Sequence, residues 1–190
     1  LPCPRPIVKE YPEKRKLSPF LLWHFAGSGV IIASVRRIET FPAPIWEESY
    51  MDYVIKGYKP ESLFHFFEQI SAIPRGSGNE KGISEFLMGF AAERGLEAWT
   101  DELHNVVIRK AASAGAEGRP AVMLQGHLDM VCEKVAGVQH DFERDGIELV
   151  VENGVLRANG TTLGSDNGAA VALMMAVLDD GTLEHPPLEC

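Results

Sequence analysis

The chain has 190 residues, 45% of them hydrophobic, which is enough to bury one sizeable core. Its net charge of −9 argues against nucleic acid and against an anionic membrane as partners. The three cysteines, Cys3, Cys132 and Cys190, form no C-x-x-C pair, which argues against a disulfide framework or a structural zinc knuckle and favours reduced thiols.

Residues 1–50 differ in composition from the rest of the chain. They carry 7 Lys/Arg and 5 Asp/Glu (net +2) with 7 of the 12 prolines, whereas residues 51–190 carry 11 and 22 (net −11). Because closely spaced prolines interrupt helices and strands, residues 1–50 do not read as part of a fold. We therefore predict a folded domain over residues 51–190 only.

Three interpretations of residues 1–50 remain open. The apolar run 20–35 follows a basic stretch, as in a signal peptide, but at about 16 residues it is shorter than the roughly 20 that a membrane span needs. Trp46-Glu47-Glu48 must be encoded by a purine-rich run like a bacterial ribosome-binding site, just ahead of Met51. We hypothesise a translated leader with Met51 as the natural start; a signal peptide or an extension of unknown role are the alternatives.

Two amphipathic helices are predicted after Met51. The first begins near Pro60 and ends before Pro74, with apolar residues at helical spacing: Leu63, Phe66, Phe67 and Ile70. The second is capped by Ser77 or Asn79, ends near Gly95, and carries along one face Ile83, Phe86, Leu87 and Phe90.

Short strands and a third helix follow, and together they predict an α/β fold. Residues 96–100 and 105–109 are predicted to pair at a sheet edge, and 121–124 to form a short buried strand. A hairpin is predicted around Asn153-Gly154, a helix over 169–178, and the opening of another strand at 188–190. We expect a mixed sheet with helices on both faces, incomplete at the C-terminus.

The stretch after the strand at 121–124 carries the first candidate site residues. His127 and Asp129 are two residues apart, so at strand spacing they lie on the same side. An imidazole can bind a cation while a neighbouring carboxylate fixes its ring and tautomer. Gly126 allows the backbone to approach a neighbour closely.

A glycine-rich stretch before the third helix carries the other candidate. Gly164-Ser165-Asp166-Asn167-Gly168 delivers the carboxylate of Asp166 to a helix N-terminus, and a carboxylate can bridge two cations. Alone, a His-x-Asp tripeptide arises often by chance, and a Gly-rich turn with one Asp is more often a helix cap. Together, in this order and context, the two stretches indicate a di-metal hydrolase site.

The amino-acid sequences of both stretches resemble those of the aminoacyl-histidine dipeptidase branch of the zinc peptidase family. That family also includes aminoacylases and glutamate carboxypeptidases. The resemblance runs from about Met51 to Cys190, and is carried by Gln125–Lys134, Thr161–Gly168, Ser77–Lys81 and His140–Glu143. It implies that His127 binds one metal, that Asp166 bridges two, and that Asp129 orients His127. The two ions are expected to be Zn²⁺, with Co²⁺ or Mn²⁺ as alternatives, and the substrate a dipeptide of the Xaa-His type, hydrolysed in the cytoplasm.

The resemblance also implies parts that this sequence lacks. In the family, two adjacent acidic residues, a general base and a metal ligand, follow the next strand, and the dimerising smaller domain comes later. Glu184 and Glu189 precede that strand, so we expect this chain to be an inactive N-terminal fragment, with a homodimer only in the full-length enzyme. The alternatives are a non-catalytic metal-binding remnant or interaction domain, or a related N-acyl amino acid hydrolase.

Other candidate residues have weaker support. Cys132 could act as a nucleophile, but no Cys/His signature accompanies it, and a structural thiol is the simpler interpretation. His140-Asp141 could form a second ligand pair, although the family segment that it resembles is expected to be structural. No partner at ligand spacing accompanies the remaining histidines, His24, His65, His104 and His185.

Overall fold

The computed structural model describes residues 53–190. The predictions for residues 1–50, together with the proposed start at Met51, lie outside the described residues. Within this range, three helices and six strands follow one another in this order: α1 (Glu61–Ser71), α2 (Lys81–Glu93), β1 (Glu97–Thr100), β2 (Val106–Lys110), β3 (Val122–Met123), β4 (Leu149–Glu152), β5 (Val155–Ala158), α3 (Ser165–Asp179) and β6 (Leu188–Glu189).

The first two helices form where the apolar spacing predicts them. Pro60 is the residue before α1 rather than part of its first turn, and α1 ends three residues before Pro74. After α2, Gly95 adopts φ +63°, as expected of a glycine that terminates a helix. The buried positions of α1 and α2 include seven predicted apolar ones: Phe66, Phe67, Ile70, Ile83, Phe86, Leu87 and Phe90.

Four strands form a mixed sheet in the order β1-β2-β6-β3. The β1–β2 and β2–β6 pairs are antiparallel, whereas β6 and β3 are parallel. The predicted mixed α/β fold is confirmed, and so is the strand that begins at Leu188. That strand is central, because it joins β3 to the rest of the sheet.

The prediction of a buried strand at 121–124 is wrong in one respect. The strand β3 forms at Val122–Met123, but these side chains are 43% and 68% exposed. Neighbouring residues in a strand point to opposite faces, so solvent reaches both faces of β3. The reason is position: β3 lies at the end of the described sheet with a partner strand on one side only.

The two faces of the described sheet have different surroundings. On one face, Thr100 contacts Ser84 of α2 through their hydroxyls at 3.2 Å, and the Lys110 ammonium donates to the carbonyls of Val177 and Asp180 at the end of α3. On the other face, the Arg109 guanidinium lies over the exposed Trp99 ring. Within residues 53–190, these helix contacts lie on one face, where both faces were expected to be covered.

The predicted hairpin is confirmed as a separate two-stranded sheet of β4 and β5. Asn153 and Gly154 have φ of +52° and +74°, the left-handed conformations that a two-residue hairpin turn requires. No helix in the described part of the chain is long and apolar enough to cross a membrane.

Candidate metal centre

His127 and Asp129 lie beyond the end of β3, and their side chains are hydrogen-bonded to each other. The His127 Nδ1 atom is 2.9 Å from Asp129 Oδ1 and 3.1 Å from the Asp129 carbonyl oxygen. Because both oxygens are acceptors, Nδ1 is the donor and carries a proton. The Nε2 atom of a neutral His127 then has a free lone pair, as a metal ligand requires.

Asp166 lies on the opposite side of the His127 ring. Its Oδ1 atom is 3.2 Å from His127 Nε2, and its side chain is 94% exposed. A lone pair on Nε2 and a carboxylate oxygen repel each other at this distance unless a proton or a cation lies between them. The structure therefore brings together two donor atoms of the kind that bind divalent metals.

The turn before α3 sets the position of Asp166. Gly164 has φ +69°, and a Cβ there would lie 2.5 Å from Arg75 Nη2 and 2.8 Å from Met130 Sδ. Asp166 and Asn167 depart from helical backbone angles, so the regular helix continues only after them. This irregular start leaves the Asp166 carboxylate outside the helix, on the side of His127.

Gly126 was predicted to allow a close approach of the backbone to a neighbour, and the neighbour is α3. A Cβ at this position would lie 3.2 Å from Met174 Cε and 3.4 Å from Ala170 Cβ. Contacts this short leave little room for a side chain, so the glycine lets the backbone just before His127 approach the helix that begins beside Asp166.

Ser77 was predicted as a possible helix cap, and this is wrong. The residue at the N-cap of α2 is Glu80, and neither Ser77 nor Asn79 caps the helix. The Ser77 hydroxyl instead donates to Asp129 Oδ2 at 2.5 Å. Ser77 is thus part of the candidate site, and the only sequence signal for it was its place in the Ser77–Lys81 stretch of the family resemblance.

Arg75 was not predicted as a site residue, yet it connects both halves of the site. It is 2% exposed, and its guanidinium donates to the carbonyls of Leu128 at 3.0 Å and Gly164 at 2.6 Å. Burial lowers the pKa of Arg75, an effect that the charge of Asp129 opposes. Hydrogen bonds to two carbonyls partly replace the water that the buried cation has lost.

The protonation of His127 and Asp129 follows from these contacts. Desolvation lowers the pKa of His127, but hydrogen bonds with Asp166 and Asp129 outweigh it and raise this pKa above its ordinary value. The hydrogen bond from Ser77, followed by the contact with His127, lowers the pKa of Asp129 despite some desolvation. Asp129 is therefore a carboxylate at neutral pH, and it accepts a hydrogen bond from the Nδ1–H of His127.

The other predicted candidates do not join this group. The Cys132 thiol is exposed, and desolvation raises its pKa, which disfavours a nucleophilic thiolate. The His140 ring packs edge-on against Phe142 at 4.4 Å between centroids, and Asp141 accepts the backbone N–H of Glu143. Glu184 and Glu189 form separate ion pairs, with Arg119 at 2.7 Å and with Arg109 at 2.6 Å.

Two donor atoms do not complete a metal site. Within residues 53–190, no group of three or more His, Cys, Asp or Glu side chains is placed to hold a metal ion. A tetrahedral structural zinc site has four protein ligands and a catalytic site usually three. His127 and Asp166 thus fit part of a divalent metal site.

An open cavity of about 430 Å³ adjoins the candidate site. His127 and Asp129 contribute to its wall, and apolar residues of β2 and α3 supply much of the rest, including Ile108, Val171, Met175 and Leu178. A concave apolar surface with a few polar groups at one place is the usual form of a small-molecule site.

Comparison with known proteins gives a consistent result. Over 130 residues, the chain is 42% identical to the cytosol non-specific dipeptidase of Escherichia coli (strain K12), covering 68% of this chain and 27% of that protein. The crystal structure of aminoacylhistidine dipeptidase from Vibrio alginolyticus matches with a TM-score of 0.68 and 37% identity, over 70% of this chain and 27% of that one. The resemblance to the aminoacyl-histidine dipeptidase branch is confirmed.

More distant structures share the fold. A tripeptidase from Staphylococcus aureus and aminopeptidase PepT from Bacillus cereus each match with a TM-score of 0.53, at 22% and 20% identity, over 67% and 68% of this chain and 34% and 35% of theirs. No protein-family model matches the chain. The chain spans about a quarter of the length of the two dipeptidases that it resembles.

Proposed function

We propose that this chain supplies part of the catalytic domain of a metal-dependent dipeptidase, in which His127 and Asp166 bind divalent cations and Asp129 orients His127. One observation carries the metal assignment: His127 Nε2 faces Asp166 Oδ1 at 3.2 Å while its Nδ1 proton is bonded to Asp129. The similarity to two dipeptidases supports the reaction class.

The proposed cations are two Zn²⁺ ions, with Co²⁺ or Mn²⁺ as alternatives. Such ions supply Lewis acidity toward a peptide carbonyl and lower the pKa of a bound water. Of the chain's own residues, Asp166 contributes an exposed carboxylate with a free oxygen on a second side, as a bridging ligand needs. His127 contributes Nε2, which has a free lone pair in the neutral tautomer that donates Nδ1–H to Asp129.

The proposed substrate is a dipeptide, including those of the Xaa-His type, and the proposed location is the cytoplasm. Both proposals follow the names of the two similar dipeptidases. For the 190-residue chain by itself we propose negligible turnover, because His127 and Asp166 are fewer ligands than a catalytic zinc site uses. Hydrolysis of an Xaa-His dipeptide with added Zn²⁺, compared with the His127→Ala variant, tests this. Metal-dependent turnover above that variant would refute the proposed inactivity.

Metal binding is tested by titrating the ¹⁵N-labelled chain with Mn²⁺, which broadens NMR signals close to the ion. The ring signals of His127 should broaden before those of the other histidines. The Asp166→Asn variant should lose this selectivity, and the His140→Gln variant, which removes the alternative ligand, should keep it. Equal broadening of all histidine signals in the unaltered chain would refute the metal centre.

A further inference from the structure

The turn formed by Arg75, Gly76 and Ser77 is attached along its backbone to the segment that follows His127. The N–H of Met130 donates to the Arg75 carbonyl at 3.0 Å, and the N–H of Ser77 donates to the Met130 carbonyl at 3.3 Å. Gly76 and Met130 thereby form a short parallel bridge between two segments far apart in the sequence. The side chains of Arg75 and Ser77 consequently begin from fixed positions next to the candidate ligands.

Ser77 and His127 share the carboxylate of Asp129. The Ser77 hydroxyl donates to Oδ2, and the His127 Nδ1–H donates to Oδ1. With a donor on each oxygen, the carboxylate is held in one orientation, and its plane directs the imidazole ring. Removal of the hydroxyl leaves Oδ2 with no side-chain donor from this turn, so that the carboxylate can rotate.

The two ring nitrogens of His127 face two different carboxylates. The one proton of the neutral imidazole lies on Nδ1 here, where Oδ1 and the carbonyl oxygen of Asp129 are acceptors at 2.9 and 3.1 Å. The other tautomer would donate from Nε2 to Asp166 at 3.2 Å. The first tautomer leaves Nε2 free to bind a metal, whereas the second places a proton on that atom. Whatever strengthens the bond to Asp129 therefore favours the tautomer that binds a metal.

Arg75 acts on the distance between the two halves of the site. Its guanidinium joins the carbonyl of Leu128, between His127 and Asp129, to the carbonyl of Gly164, two residues before Asp166. The planar fork of a guanidinium holds two acceptors in a fixed arrangement, which a lysine ammonium does not. Ser77 and Arg75 thus contact the site from one turn. Ser77 orients the Asp129 carboxylate, whereas Arg75 joins the two ligand-bearing segments.

We infer that Ser77 is a positioning residue that selects the metal-binding tautomer of His127 through Asp129, while Arg75, from the same turn, holds the two ligand-bearing segments together. The inference rests on the proposed function in one respect, namely that Nε2 of His127 binds the metal. Ser77 contacts neither Nε2 nor Asp166, so its effect on the metal is indirect.

The tautomer of His127 can be measured without metal, from the ¹⁵N shifts of its ring at a pH where the ring is neutral. The unaltered chain should show a proton mainly on Nδ1. Ser77→Ala should move a measurable fraction of the proton to Nε2, although the Asp129 carbonyl still accepts from Nδ1. Ser77→Thr, which keeps the hydroxyl, should restore the original state. Ser84→Ala is the control, because the hydroxyl of Ser84 on α2 hydrogen-bonds Thr100 of β1, outside the candidate site.

Mn²⁺ titration of the same samples gives the second readout. The concentration that half-broadens the His127 signals should rise about tenfold or more in Ser77→Ala, the effect typical of losing a group that orients a metal ligand. Unchanged amide spectra away from the turn will show that the variant is folded, as expected for an exposed residue.

The outcomes separate the two proposals. If Ser77→Ala keeps the proton on Nδ1 and responds to Mn²⁺ like the unaltered chain, the positioning role is refuted and the metal centre stands. If the tautomer shifts but Mn²⁺ never broadens His127 selectively, Ser77 positions His127 as inferred, and the metal function is refuted. A loss in Ser77→Thr equal to that in Ser77→Ala would contradict the role of the hydroxyl.

Discussion

The two segments that supply the candidate ligands differ in how they are held. The segment from His127 to Asp129 is fixed by its side-chain pair, by Ser77 and by Arg75. The segment from Gly164 to Asn167 is held through its backbone, since Arg75 contacts the Gly164 carbonyl. The Asp166 carboxylate itself is 94% exposed and contacts His127.

Because of this difference, stability and metal binding should depend on different residues of one site. Buried groups such as Arg75 contribute to folding, whereas an exposed carboxylate contributes little, even at a position that binds a metal. The proposed metal centre would therefore have one ligand oriented in advance by the fold, and one whose position is completed by the cation. Substitutions of buried groups should therefore lower stability, whereas substitution of the exposed carboxylate should mainly affect metal binding.

The largest effect is expected from Arg75→Met. The substitution removes the Arg75 donor from the Leu128 carbonyl and from the Gly164 carbonyl, which still accepts the N–H of Gly168 at 3.1 Å. It also removes a buried polar group, and should lower the free energy of unfolding by about 2–4 kcal/mol. Urea unfolding measures this. The control is Arg119→Met, which breaks an exposed ion pair with Glu184 and should change stability by less than about 1 kcal/mol. Equal losses in both variants would show that Arg75 has no special role.

A smaller effect is expected from Gly164→Ala, which changes the second segment where Arg75 contacts it. The new methyl group would lie 2.5 Å from Arg75 Nη2, at a residue with φ +69°. Gly137→Ala is a matched control, because Gly137 has φ +90° but nothing within 4 Å. The control should lose about 1–2 kcal/mol of stability from its left-handed backbone, and Gly164→Ala about 1 kcal/mol more from crowding. Thermal unfolding of both variants measures this difference. Equal losses of stability in Gly164→Ala and Gly137→Ala would show that the contact with Arg75 does not crowd the new methyl group.

Asp166→Asn should affect binding and leave stability nearly unchanged. Because the carboxylate is exposed, the free energy of unfolding should change by less than about 1 kcal/mol. This limit includes the loss of the favourable interaction between the negative charge and the N-terminus of α3. The Mn²⁺ response of His127 should disappear. Asp179→Asn, at the other end of α3, should preserve that response. Persistent selective broadening in Asp166→Asn would place the metal ligand elsewhere.

The smallest effect on stability is expected at Asp101, a carboxylate that lies outside the candidate site and accepts several hydrogen bonds. Hydrogen bonds from the Asn105 side chain and from backbone N–H groups lower the pKa of Asp101 below its ordinary 3.8. A lowered pKa stabilises the fold above the unfolded-state pKa, and this contribution is lost as the pH falls through the folded-state value. Asp101→Asn should therefore reduce the decline in stability below about pH 4. A decline as steep as that of the unaltered chain would show that Asp101 contributes nothing to it.

Much of the fold follows from local patterns. The spacing of Phe66, Phe67 and Ile70 predicts α1, and Asn153-Gly154 predicts the hairpin, because each signal depends on neighbours within a few residues. The exposure of β3 could not be predicted in this way. An apolar run indicates a strand, but its place in the sheet depends on which distant strand pairs with it.

The candidate site shows the same limit. His127, Asp129 and Asp166 are recognisable because their spacing and flanking glycines are local. Ser77 lies 52 residues from its acceptor Asp129, and Arg75 lies 53 and 89 residues from its two acceptors. A serine near the start of a helix is normally a cap, so local reasoning assigned Ser77 the commoner role.

The position of β6 has a consequence for how the protein folds during synthesis. β3 is joined to the sheet through Leu188–Glu189, and the N–H groups of Val122 and Leu124 donate to the carbonyls of Pro187 and Glu189. The loop between these partners runs from 122 to 188, which takes several seconds to translate at roughly 5–20 residues per second. During that interval a nascent chain carries β3 without its sheet neighbour. A pause of the ribosome within this stretch would therefore prolong the exposure of an unpaired strand edge.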